Sequence, residues 1–195
     1  MAIKYNGTTI PDTGTIKYNG TSLTKVIYNG TTVWEKWSQK TGSYMTVGSK
    51  AFNRLANDVT YNGFRYRTYG IRDDGDYAYL NKAFDGNTST SVSCRTDGNT
   101  GWIQVDFPTW IKPVEIYIKM DGRGWSSPAV LVGWSKDSSA WVELGTFNTP
   151  GSGQVEKTFT LSGNVEMSAL KAYTTNTGDG ISVWEFQVKK WYQKG

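Results

Sequence analysis

One segment of the sequence is rich in side-chain oxygens, residues 85–90, which read Asp-Gly-Asn-Thr-Ser-Thr. A carboxylate, an amide and several hydroxyls lie within one turn, together with the backbone carbonyls. Calcium binds roughly six to eight such oxygens, so the turn could hold a calcium ion. The same residues also favour a plain Asx turn, closed by hydrogen bonds from nearby backbone N–H groups. We expect the calcium ion, with the Asx turn as the alternative.

The residues that most enzymes use are scarce. The sequence has no histidine and one cysteine, Cys94. This excludes a Ser-His-Asp triad, imidazole acid–base chemistry, His-ligated zinc and an internal disulfide. A glycosidase with two carboxylates would survive these exclusions. No carboxylate pair stands out, however, and the acidic run at 73–76 is typical of a solvated turn. We therefore predict a protein that is not an enzyme.

Tryptophan occurs both in a loop and in strand-like segments. Arg123 and Trp125 lie within residues 121–128, a loop between two strand-like segments. There they could bind a sugar, since a Trp face covers apolar C–H groups and Arg donates to hydroxyls, or they could pack at the rim. Trp102, Trp141 and Trp184 lie in the strand-like segments, and we expect them in the core.

The composition predicts a folded, all-β protein. The chain has 195 residues, of which 14% are aromatic and 22 are Gly. That suits one β-sandwich with an appendage. The basic residues are scattered, and the nearest approach to a patch is Arg65, Arg67 and Arg72, so we expect no nucleic-acid partner. No apolar run approaches the roughly 20 residues that cross a bilayer, so we expect no membrane insertion.

The N-terminal residues 1–37 repeat one hairpin motif. Residues 3–10, 16–23 and 26–33 each place Asn-Gly between two short strands, the pattern of a two-residue hairpin loop. In the first copy this puts Ile3 opposite Ile10, and in the third it puts Val26 opposite Val33. Such small hairpins bury no core of their own. The segment is therefore either an assembly arm or a plain extension, and residues 38–195 form the main domain.

Four segments in order resemble a known family. They are Lys-Ala-Phe-Asp-Gly-Asn-Thr-Ser-Thr at 82–90, Gly-Trp-Ile-Gln-Val-Asp-Phe at 101–107, Gly-Trp-Ser-Lys-Asp-Ser-Ser-Ala-Trp-Val-Glu-Leu at 133–144 and Val-Trp-Glu-Phe-Gln-Val at 183–188. Together they resemble the discoidin, or coagulation-factor C-type, domain over residues 43–190. The resemblance implies a galactose-binding-like fold, a jelly-roll β-sandwich preceded here by the β-hairpin repeat arm.

The resemblance also implies two sites. In that family a structural calcium often binds at the Asp-Gly-Asn turn and is closed by a Glu of the last strand. The corresponding ligands here are the carbonyls of Ala83 and Asn87 with the side chains of Asp85, Thr90 and Glu185. The family's binding loops cluster at one end of the sandwich. The alternative for each of these loops is a plain solvent-exposed loop. The corresponding ligand-binding residues are Arg95, Asp97, Arg123, Trp125, Asn176 and Asp179.

The repeat arm resembles N-terminal modules of phage tail and baseplate appendage proteins, and no signal-peptide pattern begins the sequence. We therefore predict a phage virion-associated adhesion or decoration protein, made in the bacterial cytoplasm. Its sandwich would bind a cell-surface glycan, and its arm would bind other virion proteins or sister chains in a homo-oligomer. One alternative is a carbohydrate-binding module of a bacterial surface protein or glycosidase, at the cell surface or secreted. The other is a purely structural virion component.

Overall fold

The computed structural model describes residues 3–5, 8–10, 15–97, 100–122, 126–175 and 180–194. Among these residues there are two short 3-10 helices, Gly75–Tyr77 and Leu80–Ala83, and no α-helix. None of the described residues forms a helix of the length and apolarity needed to cross a bilayer. The strands are β1 Ile3–Tyr5, β2 Thr8–Ile10, β3 Ile16–Tyr18, β4 Thr21–Leu23, β5 Lys25–Tyr28, β6 Thr31–Glu35, β7 Trp37–Thr41, β8 Asp58–Tyr61, β9 Phe64–Thr68, β10 Val92–Cys94, β11 Thr96–Asp97, β12 Thr100–Asp121, β13 Ser127–Ser135, β14 Ala140–Thr149, β15 Val155–Thr160, β16 Met167–Thr174 and β17 Ile181–Lys194.

The chain divides into two compact units, Met1–Lys40 with Tyr192–Gly195, and Thr41–Trp191. The first unit contains three separate two-stranded sheets, β1–β2, β3–β4 and β5–β6. In the first hairpin Ile3 faces Ile10, as the repeat predicts. In the second, Asn19 and Gly20 have φ angles of 47° and 80°. These positive values are the ones that a type I′ hairpin turn requires and that Asn and Gly tolerate best.

The third hairpin departs from the predicted register. A bulge lies between Val26 and Ile27, and Val26 faces Trp34 instead of Val33. A bulge adds one residue to one strand, so side chains beyond it change faces. Tyr18 of the second hairpin and Ile27 and Tyr28 of the third are exposed.

The second unit is a β-sandwich in which β12 belongs to two sheets. The N-terminal part of β12 pairs with β9 on one side and β16 on the other, and Ile103 thereby faces Thr68 and Ala172. Further strands extend this front sheet to the order β8, β9, β12, β16, β13, β14. The C-terminal part of β12 pairs with β15, with Ile116 opposite Phe159. β17 and β10 lie beside it in the back sheet.

Alternation along the strands forms one core between these sheets. Ile103 and Val105 of the front sheet and Ile116 and Phe186 of the back sheet are fully buried members of the same cluster. Successive side chains of a strand point to opposite faces, so every second residue of these strands points away from the core.

The same alternation corrects the prediction for three tryptophans. Trp102, Trp141 and Trp184 are all absent from the core cluster. Trp102 and Trp184 are half-buried, and the Trp141 side chain is 38% exposed. Trp102 precedes the inward-facing Ile103 and therefore lies on the outer face. The prediction that these tryptophans lie in the core was wrong. Their β-branched neighbours, such as Ile103 and Val183, occupy the inner face.

Candidate functional site

Arg95 is the one predicted ligand-binding residue whose side chain the structure describes. Arg123, Trp125, Asn176 and Asp179 lie outside the described residues, and Asp97 is placed by its backbone alone, in β11. The prediction for these residues therefore stays a prediction.

Arg95 follows β10 at the end of the sandwich where β17 begins, since Cys94 pairs with Ile181. An isolated bridge also joins Cys94 to Ile71. The Arg95 backbone N–H donates to the Gly70 carbonyl at 2.8 Å, and its side-chain Nε donates to the Ile71 carbonyl at 3.3 Å. These two bonds hold an exposed guanidinium at the loop end, beside the segment that follows Ile71.

A pocket of about 300 Å³ opens there, lined by Arg72, Asp73, Asp74 and Arg95; we call it the loop-end pocket. Arg72 Nε lies 3.4 Å from Asp74 Oδ2, and Asp73 forms an ion pair with Arg54. Two cations and two anions line the pocket, so its own charge is balanced. The sequence predicts Asp73 and Asp74 as a solvated turn and gives no sign that they meet Arg95.

The oxygen-rich turn closes on itself as an Asx turn. The Asn87 backbone N–H donates to Asp85 Oδ1 at 2.8 Å. The Thr90 hydroxyl lies 2.8 Å from Asp85 Oδ2 and 3.1 Å from the Asn87 carbonyl oxygen. The turn geometry alone therefore needs no ion.

Glu185 of β17 lies near this turn as a buried carboxylate. Its side chain is 1% exposed, and neither carboxylate oxygen has a hydrogen-bond partner within the described part of the chain. Burial, together with the nearby charge of Asp85, raises the pKa of Glu185 to about 7. Gln187, Lys189 and the Gly86 N–H lower that pKa in part. Gln187 and Gly86 lie near the carboxylate without forming a hydrogen bond to it. The Gln187 side chain instead accepts from the Met45 N–H and donates to the Phe84 carbonyl.

The predicted calcium ligands include two carboxylates, Asp85 and Glu185. A buried carboxylate without partners is costly, and a cation is one of the few ways to satisfy it. Its neighbour is Asp85, the carboxylate that the resemblance pairs with it. No cluster of three or more His, Cys, Asp or Glu side chains occurs among the described residues, which is compatible with a ligand set of two carboxylates and neutral oxygens. The residues fit a calcium ion.

No protein-family model and no curated protein matches the sequence. Solved structures do match the fold. One is the family 32 carbohydrate-binding module of Clostridium perfringens NanJ in complex with galactose, at a TM-score of 0.51 and 14% identity, covering 70% of this chain and 98% of that one. Another is the C. perfringens module CpGH89CBM32-5 in complex with GalNAc-β-1,3-galactose, at a TM-score of 0.50 and 15% identity, covering 67% of this chain and 97% of that one.

A Ruminococcus gnavus GH29 fucosidase also matches, at a TM-score of 0.50 and 16% identity, over 73% of this chain and 27% of the fucosidase chain. The described sandwich thus has the discoidin, or galactose-binding-like, jelly-roll fold of family 32 carbohydrate-binding modules, as predicted. The two structures that match over almost their whole length are both carbohydrate-binding modules. Of the functions predicted from the sequence, the carbohydrate-binding module is the one whose fold these structures share.

Proposed function

We propose that residues 41–191 form a carbohydrate-binding module that takes a neutral sugar in the loop-end pocket. The observation that carries this proposal is the meeting of Arg95 with Arg72, Asp73 and Asp74 at one end of a sandwich with the family 32 fold. The two modules named above are in complex with galactose and with GalNAc-β-1,3-galactose, and galactose is therefore the first sugar to test.

The chemistry of the pocket suits hydroxyl groups. A sugar hydroxyl both donates and accepts, while Arg offers N–H donors and Asp offers acceptor oxygens. Charge-assisted hydrogen bonds of this kind are about twice as strong as neutral ones. Since the positive and negative groups balance, the pocket has no net charge that would favour an acidic sugar over a neutral one.

The test is titration of galactose into the wild type and Arg95→Ala. We expect a dissociation constant of about 0.1–1 mM for the wild type, which is typical of a shallow site and corresponds to roughly 4–5.5 kcal/mol. Losing one charged hydrogen-bond donor should weaken binding about tenfold. Lys136→Ala is the control, since Lys136 is exposed and pairs with Glu166. If no member of a panel of neutral sugars binds the wild type, the proposal fails.

We also propose that a structural calcium ion binds between the Asp85 turn and Glu185, with Thr90 and the carbonyls of Ala83 and Asn87 as further ligands. The support is the buried, unpartnered carboxylate of Glu185 beside Asp85. The ion would neutralise that carboxylate and tie β17 to the turn before β10. Its part would be stability and not sugar chemistry.

Anchoring of the chain in a virion through the hairpin arm stays a prediction. The exposed Tyr18, Ile27 and Tyr28 are compatible with a protein partner.

A further inference from the structure

A second cleft opens on the outer face of the front sheet, and it shares no lining residue with the loop-end pocket. Its volume is about 540 Å³, within the range of roughly 300–1,000 Å³ common for ligand sites. Arg67 of β9 and Gln104 and Asp106 of β12 line one side, and Trp134 and Trp141 line the other. We call it the sheet-face cleft. Neither the loop-end pocket nor the calcium ligands include any of these residues.

Strand register explains why the cleft exists. Ala169 of β16 faces Asp106 on one side and Trp134 on the other. Trp134 in turn faces Trp141 of β14. Strands two apart lie about 10 Å from each other, so the small Ala169 side chain leaves a trough between Asp106 and Trp134. A large residue at position 169 would fill it.

The aromatic wall offers apolar surface to solvent. The rings of Trp134 and Trp141 pack edge to face, with centroids 5.6 Å apart and planes at 82°. Trp141 is 38% exposed. Covering exposed apolar surface with a ligand contributes about 25 cal/mol of favourable free energy for each Å² buried. A ligand with a flat patch of C–H groups would cover this surface.

The opposite wall is polar and held in place. Asp106 accepts from Gln104 Nε2 at 2.7 Å through one carboxylate oxygen and from Arg67 Nη2 at 2.6 Å through the other. These two bonds use the Gln104 amide N–H group and one Arg67 N–H group. They leave the Gln104 amide oxygen to accept and further Arg67 N–H groups to donate. Side chains on strands fixed by such bonds are preorganised for binding.

The same face continues along β12 away from the cleft. Lys171 of β16 faces Gln104. Its Nζ lies 4.8 Å from the ring centroid of Trp102 and 5.8 Å from that of Tyr173. From Asp106 to Trp102 the strand rises about 13 Å. Aromatic and polar groups therefore alternate over a length greater than one sugar ring.

We propose that the sheet-face cleft is a second glycan site, which binds a neutral oligosaccharide chain with one sugar ring against Trp141. The C–H face of a sugar covers the aromatic ring, and its edge hydroxyls reach Gln104 and Arg67. The Arg67–Asp106 pair cancels its own charge, which favours a neutral sugar. This inference rests on the proposed glycan-binding function but not on the loop-end pocket.

The experiment titrates soluble β-1,4-galactan, mixed-linkage β-glucan and arabinoxylan, with alginate as an acidic comparison, into the wild type and four variants. Trp141→Ala removes the aromatic wall, and Ala169→Leu fills the trough while both Trp side chains remain. Arg95→Ala tests the loop-end pocket. Trp184→Ala is the matched control, a half-buried tryptophan of β17 outside the cleft. Melting temperatures establish that each variant is folded.

We expect about tenfold weaker binding of at least one neutral polymer in both cleft variants, wild-type affinity in Trp184→Ala, and affinity that rises with oligosaccharide length. If a polymer binds and only Arg95→Ala weakens it, the cleft proposal is overturned and the proposed function stands. Binding of alginate alone overturns the assignment to neutral glycans. If nothing binds, both fail. Self-association of the wild type that Trp141→Ala abolishes would assign the cleft to a second copy of the chain.

Discussion

The loop-end pocket and the sheet-face cleft use different means to present polar groups. At the loop end, Arg72, Asp73, Asp74 and Arg95 come from connecting segments and are positioned by backbone carbonyls and by one another. On the sheet face, the polar groups stand on paired strands, whose spacing fixes the distance between the two walls.

This difference has consequences for binding. Loops vary and move more easily than the strands they connect, so the loop end can adapt to one sugar residue. A sheet face is stiffer and longer, and it suits a repeating chain. A module with both the loop-end pocket and the sheet-face cleft would hold a polymer at two points. Binding at both sites at once can raise affinity by orders of magnitude when the geometry allows it.

The largest effect should come from Glu185, which lines neither region. Changes at Glu185 should therefore alter the stability of the fold and leave sugar binding unchanged. In chelator, its folded-state pKa of about 7 exceeds the ordinary 4.5. Between pH 4.5 and about 7 the folded state therefore binds a proton that the unfolded state has released. The free energy of unfolding falls as the pH rises through this range. The full loss is about 3 kcal/mol. Urea unfolding measured across pH should show this fall.

Calcium should remove most of that loss, because an ion bound to the folded state alone stabilises it. Glu185→Gln should give a flatter pH curve and no response to calcium, while sugar affinities at matched folded fractions stay unchanged. A calcium-independent urea midpoint at pH 8 for the wild type would rule out the ion.

The next effect tests whether the two regions are independent. A short sugar that reaches one region only should bind the double variant Arg95→Ala/Trp141→Ala as weakly as the single variant of that region, within about 0.5 kcal/mol. For a long polymer, the double variant should lose binding altogether, since neither contact remains to hold the chain. Calorimetry on both ligands makes the comparison. Equal behaviour with short and long ligands would argue against joint engagement.

A smaller effect is expected from Asp106, which orients the polar wall of the cleft. Asp106→Ala frees Arg67 and Gln104 and should weaken polymer binding about fivefold, or roughly 1 kcal/mol. Asp106→Asn keeps one acceptor oxygen, and its affinity for the polymer should lie between those of the wild type and Asp106→Ala. Galactose binding at the loop end should not change. If both variants bind polymer like the wild type, the polar wall does not contact the glycan.

The smallest effect on sugar binding should follow removal of residues 1–36, because neither region contains residues of the hairpin arm. The truncated protein should melt as a folded sandwich and bind galactose like the full chain. If the arm mediates assembly, the same protein should no longer join sister chains or a particle, as sedimentation would reveal. Unfolding on truncation would instead make the arm part of the main core.

Local pattern was enough to predict much of the fold. The Asn-Gly pairs fix their own hairpins, because a two-residue turn decides which residues face each other within a few positions. The local pattern did not predict the bulge beside Val26, which places Val26 opposite Trp34. The order of four motifs identified the jelly roll, since each short motif occupies a known place in that fold.

The candidate sites depended on the tertiary structure to different degrees. A resemblance named Glu185 and Asp85, but burial without partners is a property of the folded chain. The sequence predicted a strand at residues 102–107 but the wrong face for Trp102, which is absent from the core cluster, whereas Ile103 belongs to it. No local pattern brings Arg67, Asp106, Ala169 and Trp141 into one cleft, or Asp74 to Arg95. These residues meet because long-range strand pairing and loop closure are decided by how the whole core packs, and not by neighbours in sequence.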